Sequence, residues 1–227
     1  MNQMNLENKE KSSRDNGSSL LEYVSESLKN TAYNKLPFNH WVFDKVFPKI
    51  VIDDLLELPF EVPKIEHYTG KRESNNQTRV FLNKENCEKF EVINDLVKVF
   101  NNSKIIDQLG NICGKDLTKG KLRIEYTMDT GDFWLEPHLD IKEKLLTFLV
   151  YLSKDPGSNE WGTTIYNPDL TFHSKAPYRS NLGLMFNAGT DTWHGVPKQN
   201  IQGIRRNLII NYVVDGWRST HELAPAV

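Results

Sequence analysis

The segment EPHLDIKEK, residues 136–144, sets His138 and Asp140 two positions apart. An imidazole nitrogen and a carboxylate oxygen are both good ligands for a divalent transition metal, so the pair could hold one. If the segment is extended the two side chains project to one face, because side chains on a strand alternate with period two. The triplet alone decides little. With six histidines and 30 acidic residues in the chain, about one His-x-Asp/Glu is expected by chance. A hydrogen-bonded surface pair is the plainer account of these two residues taken by themselves.

What stands further along changes the balance. His194, in NAGTDTWHGVPKQ, opens another short extended stretch. Two histidines and one carboxylate occupy one side of a metal and leave the other side open, which is the facial arrangement of non-haem Fe(II) oxygenases. Eleven residues beyond His194, GIRRNLIINYVV starts a strand with Arg205 and Arg206. An arginine inside a barrel can take a carboxylate through two parallel hydrogen bonds. Strand alternation separates the two arginines: Arg206 shares an apolar face with Leu208, Ile210 and Tyr212, whereas Arg205 shares a polar face with Asn207 and Asn211. The polar face suits a barrel interior, so Arg205 is the candidate anchor.

The elements that would position these residues divide the chain. Residues 1–18 are polar and almost free of large apolar groups, the composition of a disordered tail. SSLLEYVSESLKN carries Leu21, Val24 and Leu28 at helical spacing behind a serine, and VIDDLLELPF reads as a short helix ended by Pro59. NCEKFEVINDLVKVFNNSKIIDQLGNICG reads as two consecutive helices, restarting at Ser103 and stopping at Gly114. Beyond residue 120 the pattern changes to KLRIEYTM, KLLTFLVYLS, GTTIYNP, NLGLMFNAG and IRRNLIINYVV, short runs rich in β-branched and aromatic residues between Gly, Pro, Asn and Asp clusters. The expectation is one domain over 19–227: helical support at 19–118, an all-β jelly-roll or sandwich core at 119–215, and a C-terminal tail at 216–227.

Composition excludes several classes of function. The 28 basic residues nearly balance the 30 acidic ones, so no global charge draws the chain to nucleic acid or anionic lipid. No apolar run approaches the roughly 20 residues that span a bilayer, and the N-terminal residues lack the apolar stretch of a signal peptide. Cys87 and Cys113 are far apart, form no zinc spacing, and read as reduced thiols of a cytoplasmic protein.

YTMDTGDFWLEPHLD, LTFLVYLS, WGTTIY, LMFNAGTDTWHGV and RRNLIINY follow one another in this order. Taken together, the set resembles the Fe(II)- and 2-oxoglutarate-dependent oxygenases, in their prolyl-hydroxylase-like branch. The resemblance covers about Leu122 to Val214, with the TWHGV stretch and the R-x-N after it as its most telling parts. It implies a double-stranded β-helix, a cupin-like jelly roll with helices buttressing its larger sheet. It makes His138, Asp140 and His194 the ligands of Fe(II), and an arginine of the last strand the partner of the far carboxylate of 2-oxoglutarate. Arg205 fits that role, with Asn207 beside it, and Tyr126 stands where the family often has a tyrosine touching the cosubstrate. The implied activity is dioxygenation with 2-oxoglutarate and O2 as cosubstrates, hydroxylating an unactivated C–H bond. The substrate class stays open between a small molecule and a protein prolyl side chain, and the balanced charge of the chain tilts the expectation to a small molecule. Asp140 keeps an acid where halogenating members carry a small residue, which favours hydroxylation.

The sequence also departs from the family. The spacing from His194 to Arg205 is slightly long for the branch, so the connection should be bulged. TFHSKAPYRSNL occupies a variable loop, so His173 and Arg179 inherit no role. The alternative is a cupin-type jelly roll, an isomerase or binding module, that uses the same metal ligands without 2-oxoglutarate.

Overall fold

The computed structural model describes residues 17–65, 67–71 and 78–226. Most of the segment expected to be a disordered tail lies outside these residues. Its last two, Gly17 and Ser18, already belong to the first helix, α1 (Gly17–Ser27).

The hairpin β1 (Thr31–Asn34) and β2 (His40–Phe43) follows, then helix α2 (Lys49–Leu56) and the short strand β3 (Arg79–Phe81). The region expected to form two helices forms three: α3 (Lys84–Lys89), α4 (Glu91–Asn101) and α5 (Ser103–Cys113). The additional break is at Phe90, whose extended backbone (φ −130°, ψ 115°) ends α3 and begins α4. The end of α5 comes at Gly114, in the left-handed conformation (φ 68°) that favours glycine. The rest is strand: β4 (Lys121–Gly131), β5 (Leu135–His138), β6 (Lys144–Tyr151), β7 (Thr164–Tyr166), β8 (Phe172–Lys175), β9 (Gly183–Phe186), β10 (His194–Val196) and β11 (Ile201–Val213).

These strands form two antiparallel sheets, one of seven strands in the order β1-β2-β9-β6-β11-β4-β3 and one of four in the order β5-β10-β7-β8. The result is a mainly β jelly roll with helices on one side. The first half of the chain is more than helical support, because it contributes β1, β2 and β3 to the larger sheet, at both of its edges.

Two apolar clusters follow from period-two alternation. Outward-facing Ile124, Tyr126 and Met128 of β4, Phe148 and Val150 of β6, and Leu208, Ile210 and Tyr212 of β11 pack against α1, α2, α4 and α5. The amphipathic α4 supplies Ile93, Leu96, Val97 and Phe100 to this layer. The second cluster lies between the sheets, where Phe38, Phe133, Tyr151, Trp161, Tyr178, Leu184 and Phe186 meet. The chain beyond β11 is more than a tail. Ala224 N–H donates to Leu122 O at 3.0 Å, and Glu222 accepts from Arg123 Nε at 2.6 Å, which covers one end of the larger sheet.

Candidate metal centre

The β5–β10 pairing places His138 and His194 directly opposite one another on adjacent antiparallel strands. Their rings stand 4.3 Å apart, tilted by 51°. Asp140 follows β5 two residues later, and potential ligand atoms of all three residues lie within 4.8 Å of one another. Each histidine Nδ1 lies beside a backbone carbonyl two residues earlier, His138 against Glu136 O at 2.9 Å and His194 against Thr192 O at 2.8 Å. A carbonyl only accepts, so Nδ1 carries the proton and Nε2 presents its lone pair. This is the outer-shell arrangement that orients metal-binding imidazoles. Gly195 is required next to His194, since a Cβ there would come within 2.7 Å of Leu135 O on the paired strand.

Asp140 is buried and fixed at both oxygens. Lys144 Nζ donates to Oδ1 at 2.8 Å and Thr147 Oγ1 donates to Oδ2 at 2.6 Å. A carboxylate offers about four lone-pair sites, so each oxygen can still meet a cation. Two imidazoles and one carboxylate therefore fit a divalent transition metal in donor type and proximity.

The three residues line a cavity between the sheets. The same cavity is lined by Thr127 and Asp129 of β4, Thr147 and Leu149 of β6, and Arg205 and Asn207 of β11. Arg206 lies on the opposite face, next to Tyr126. The register β11–β4 sets Arg205 opposite Asp129 and Asn207 opposite Thr127. The bulge that lengthens the path from His194 falls between Ile201 and Arg205. Gly203 sits there at φ +132°, and a Cβ would meet the Asp155 carboxylate at 2.4 Å.

Arg205 is buried and heavily engaged. Its Nε donates to Trp161 O at 2.7 Å and Nη1 to Asp129 Oδ2 at 2.8 Å. The Asn207 carboxamide, oriented with its oxygen toward Arg205, accepts from Nη1 at 3.0 Å. The guanidinium centre is 6.0 Å from the Phe133 ring centroid and 5.8 Å from that of Tyr178, at the limit of cation–π attraction. Burial pushes Asp129 above the usual carboxylate range, opposed by the positive charge of Arg205.

One sequence expectation is corrected. Tyr126 does not reach the cavity. It is on the outward face of β4, and its hydroxyl donates to Leu55 O of α2 at 3.1 Å. Burial pushes its pKa up to about 12, as expected of a core phenol. Alternation carried the signal, since Tyr126 is in phase with Ile124 and Met128, which also face the helices.

Several buried polar residues on the inner face of the larger sheet, Thr127 and Asp129 of the cavity wall among them, were not singled out from the sequence. Arg123, Glu125, Thr127 and Asp129 alternate along β4 and are all buried. Glu125 binds Arg123, forms an ion pair with Arg79 at 2.7 Å, and accepts from Asn211 Nδ2 at 3.3 Å. The remaining histidines stand apart. His40 is buried, its pKa lowered mainly by that burial, and His173, His67 and His221 are exposed. Arg179 pairs with Asp44 at the surface.

No protein-family model and no curated protein sequence matches the chain. Solved structures do. A prolyl 4-hydroxylase from Pseudomonas putida superposes with a TM-score of 0.54 at 10% identity, over 88% of this chain and 95% of that one. A prolyl hydroxylase from Trichoplax adhaerens, in complex with a hypoxia-inducible-factor peptide fragment, gives 0.54 at 12% identity over 85% and 88%. The non-heme α-ketoglutarate-dependent epimerase SnoN, from nogalamycin biosynthesis, gives 0.52 at 14% identity over 86% and 82%. The chain has the jelly-roll fold of the 2-oxoglutarate- and Fe(II)-dependent oxygenases, with prolyl hydroxylases among its structural neighbours.

Proposed function

We propose that the chain is an Fe(II)- and 2-oxoglutarate-dependent dioxygenase that hydroxylates an unactivated C–H bond of a small molecule. In this reading His138, Asp140 and His194 hold the iron, and Arg205 takes the far carboxylate of 2-oxoglutarate, with Asn207 beside it. The observation that carries it is one cavity lined both by a facial His-Asp-His set and by a buried arginine. When bound, the iron and 2-oxoglutarate supply the oxidising power, and O2 is the second cosubstrate.

The chain's own residues orient and exclude. The carbonyls of Glu136 and Thr192 hold the two imidazoles in one tautomer and one rotation. Lys144 and Thr147 hold the Asp140 carboxylate in place from behind. Phe133, Leu135, Leu149 and Val196 give the cavity an apolar share of wall, which limits water around the reacting centre.

The fold's neighbours include enzymes named as prolyl hydroxylases and as an epimerase. The balanced charge of the chain, with no basic or acidic surplus to recruit a macromolecule, supports a small-molecule substrate. A second reading, a metal-binding jelly roll that does not use 2-oxoglutarate, is favoured by one observation: the charge of Arg205 already faces Asp129. The test is a panel of candidate substrates with Fe(II), 2-oxoglutarate and O2, scored for succinate and for a product heavier by one oxygen atom. Succinate matched by oxygenated product is expected. Metal binding with no 2-oxoglutarate consumed across the panel would favour the second reading.

A further inference from the structure

The feature least expected of a carboxylate anchor is the carboxylate already on it. Arg205 has five N–H donors. The Nε donor goes to Trp161 O, and Nη1 is shared by Asp129 and Asn207. Among the described residues no hydrogen bond from Nη2 is seen, although Arg205 lines the cavity. A ligand carboxylate that approaches two parallel donors must therefore meet Asp129 at Nη1.

Asp129 has somewhere else to go. Thr78 hydrogen-bonds to it, and Arg79 adds a second positive charge to its surroundings. Both residues border the same cavity. Arg79 itself is held by Glu125 at 2.7 Å. Asp129 is thus a buried carboxyl group bonded directly to one guanidinium, with the positive charge of a second, Arg79, acting on it.

We infer that Asp129 is a built-in competitor for Arg205, which a ligand's far carboxylate must displace toward Thr78 and Arg79. The inference rests on the proposed role of Arg205. It makes Asp129 the residue that sets how strongly a second carboxylate on the oxoacid is rewarded. A like charge this close to an incoming carboxylate, in a buried site, opposes binding strongly.

The test is calorimetric binding under argon to the Fe(II)-loaded protein. The two probes are 2-oxoglutarate and 2-oxobutyrate, which shares the chelating head and lacks the second carboxylate. Asp129→Asn keeps the side-chain shape and removes the charge. It is expected to tighten 2-oxoglutarate by about tenfold or more and to move 2-oxobutyrate by less than about twofold. Unchanged or weaker 2-oxoglutarate binding in the folded variant would overturn the inference and leave the site reading intact. If Asp129→Asn does not fold, the wild type decides. A preference for 2-oxoglutarate over 2-oxobutyrate below about tenfold supports a competitor on the arginine, and a larger one overturns it. Failure of the iron-loaded wild type to bind either oxoacid would overturn the functional reading, and the inference with it.

Discussion

The larger sheet carries two different chemistries on the same strands. Toward the helices, β4, β6 and β11 present Ile124, Tyr126, Met128, Phe148, Val150, Leu208 and Ile210, all buried in one apolar layer. On the face toward the smaller sheet they present Arg123, Glu125, Thr127, Asp129, Thr147, Arg205, Asn207 and Asn211, just as deeply buried, beside the apolar Leu149, Tyr151 and Ile209. The dry face is held by packing, and any shape-matched apolar residue would serve there. The wet face is held by pairs, in which each buried charge depends on a particular partner. Structure can be maintained on the first face while function is built on the second, only one residue away.

The comparison breaks most sharply at Glu125. Replacing it by Gln keeps the volume and deletes the charge that Arg79 and Arg123 share. The expected cost is about 3–5 kcal/mol in urea unfolding, the penalty for stranding buried charge. A neutral Glu125→Gln would mean that the wet face is held by shape, like the dry one. Ile210→Ala, on the dry face, should cost about 3 kcal/mol through lost burial and a residual cavity. Its metal and oxoacid affinities should stay at wild-type values, because it does not line the cavity.

The two arginines sharpen the contrast at adjacent positions. Arg205→Ala removes the proposed anchor and leaves Asp129 without its direct ion-pair partner. The 2-oxoglutarate dissociation constant should rise by one to three orders of magnitude, about 1.5–4 kcal/mol. Arg206→Ala, one residue along and on the other face, should change it by less than about 0.5 kcal/mol. Equal effects at the two positions would remove the distinction between the faces.

Much of this was legible because alternation is a local rule. The choice of Arg205 for the polar face of β11 needed only the parity of Asn207 and Asn211, and the structure puts Arg205 in the cavity. His138 and Asp140 lie close because they are two apart in extended chain. Their meeting with His194 depends on the β5–β10 pairing, a long-range event that the ordered landmarks indicated and spacing alone did not. The same parity rule, applied to Tyr126, points to the helices. The family's habit at this position does not hold in this chain, where the Tyr126 hydroxyl is bonded to Leu55 O.

Other features were hidden for physical reasons. β1 and β2 have four residues each and β3 has three, too few for a period to show. Lys144 sits in the charged stretch IKEK, yet it is buried on Asp140. Asp129 carries no local signal of its role in the sequence. Its partner is 76 residues away in the chain, and only the β11–β4 register discloses it.

The central claim is that His138, Asp140 and His194 form one metal centre. It is tested most directly by the iron-to-protein ratio after anaerobic reconstitution with Fe(II) and gel filtration, for the wild type and for His194→Ala with an unchanged unfolding midpoint. The account predicts one iron per wild-type chain and almost none in the variant. Full iron occupancy in His194→Ala would contradict it.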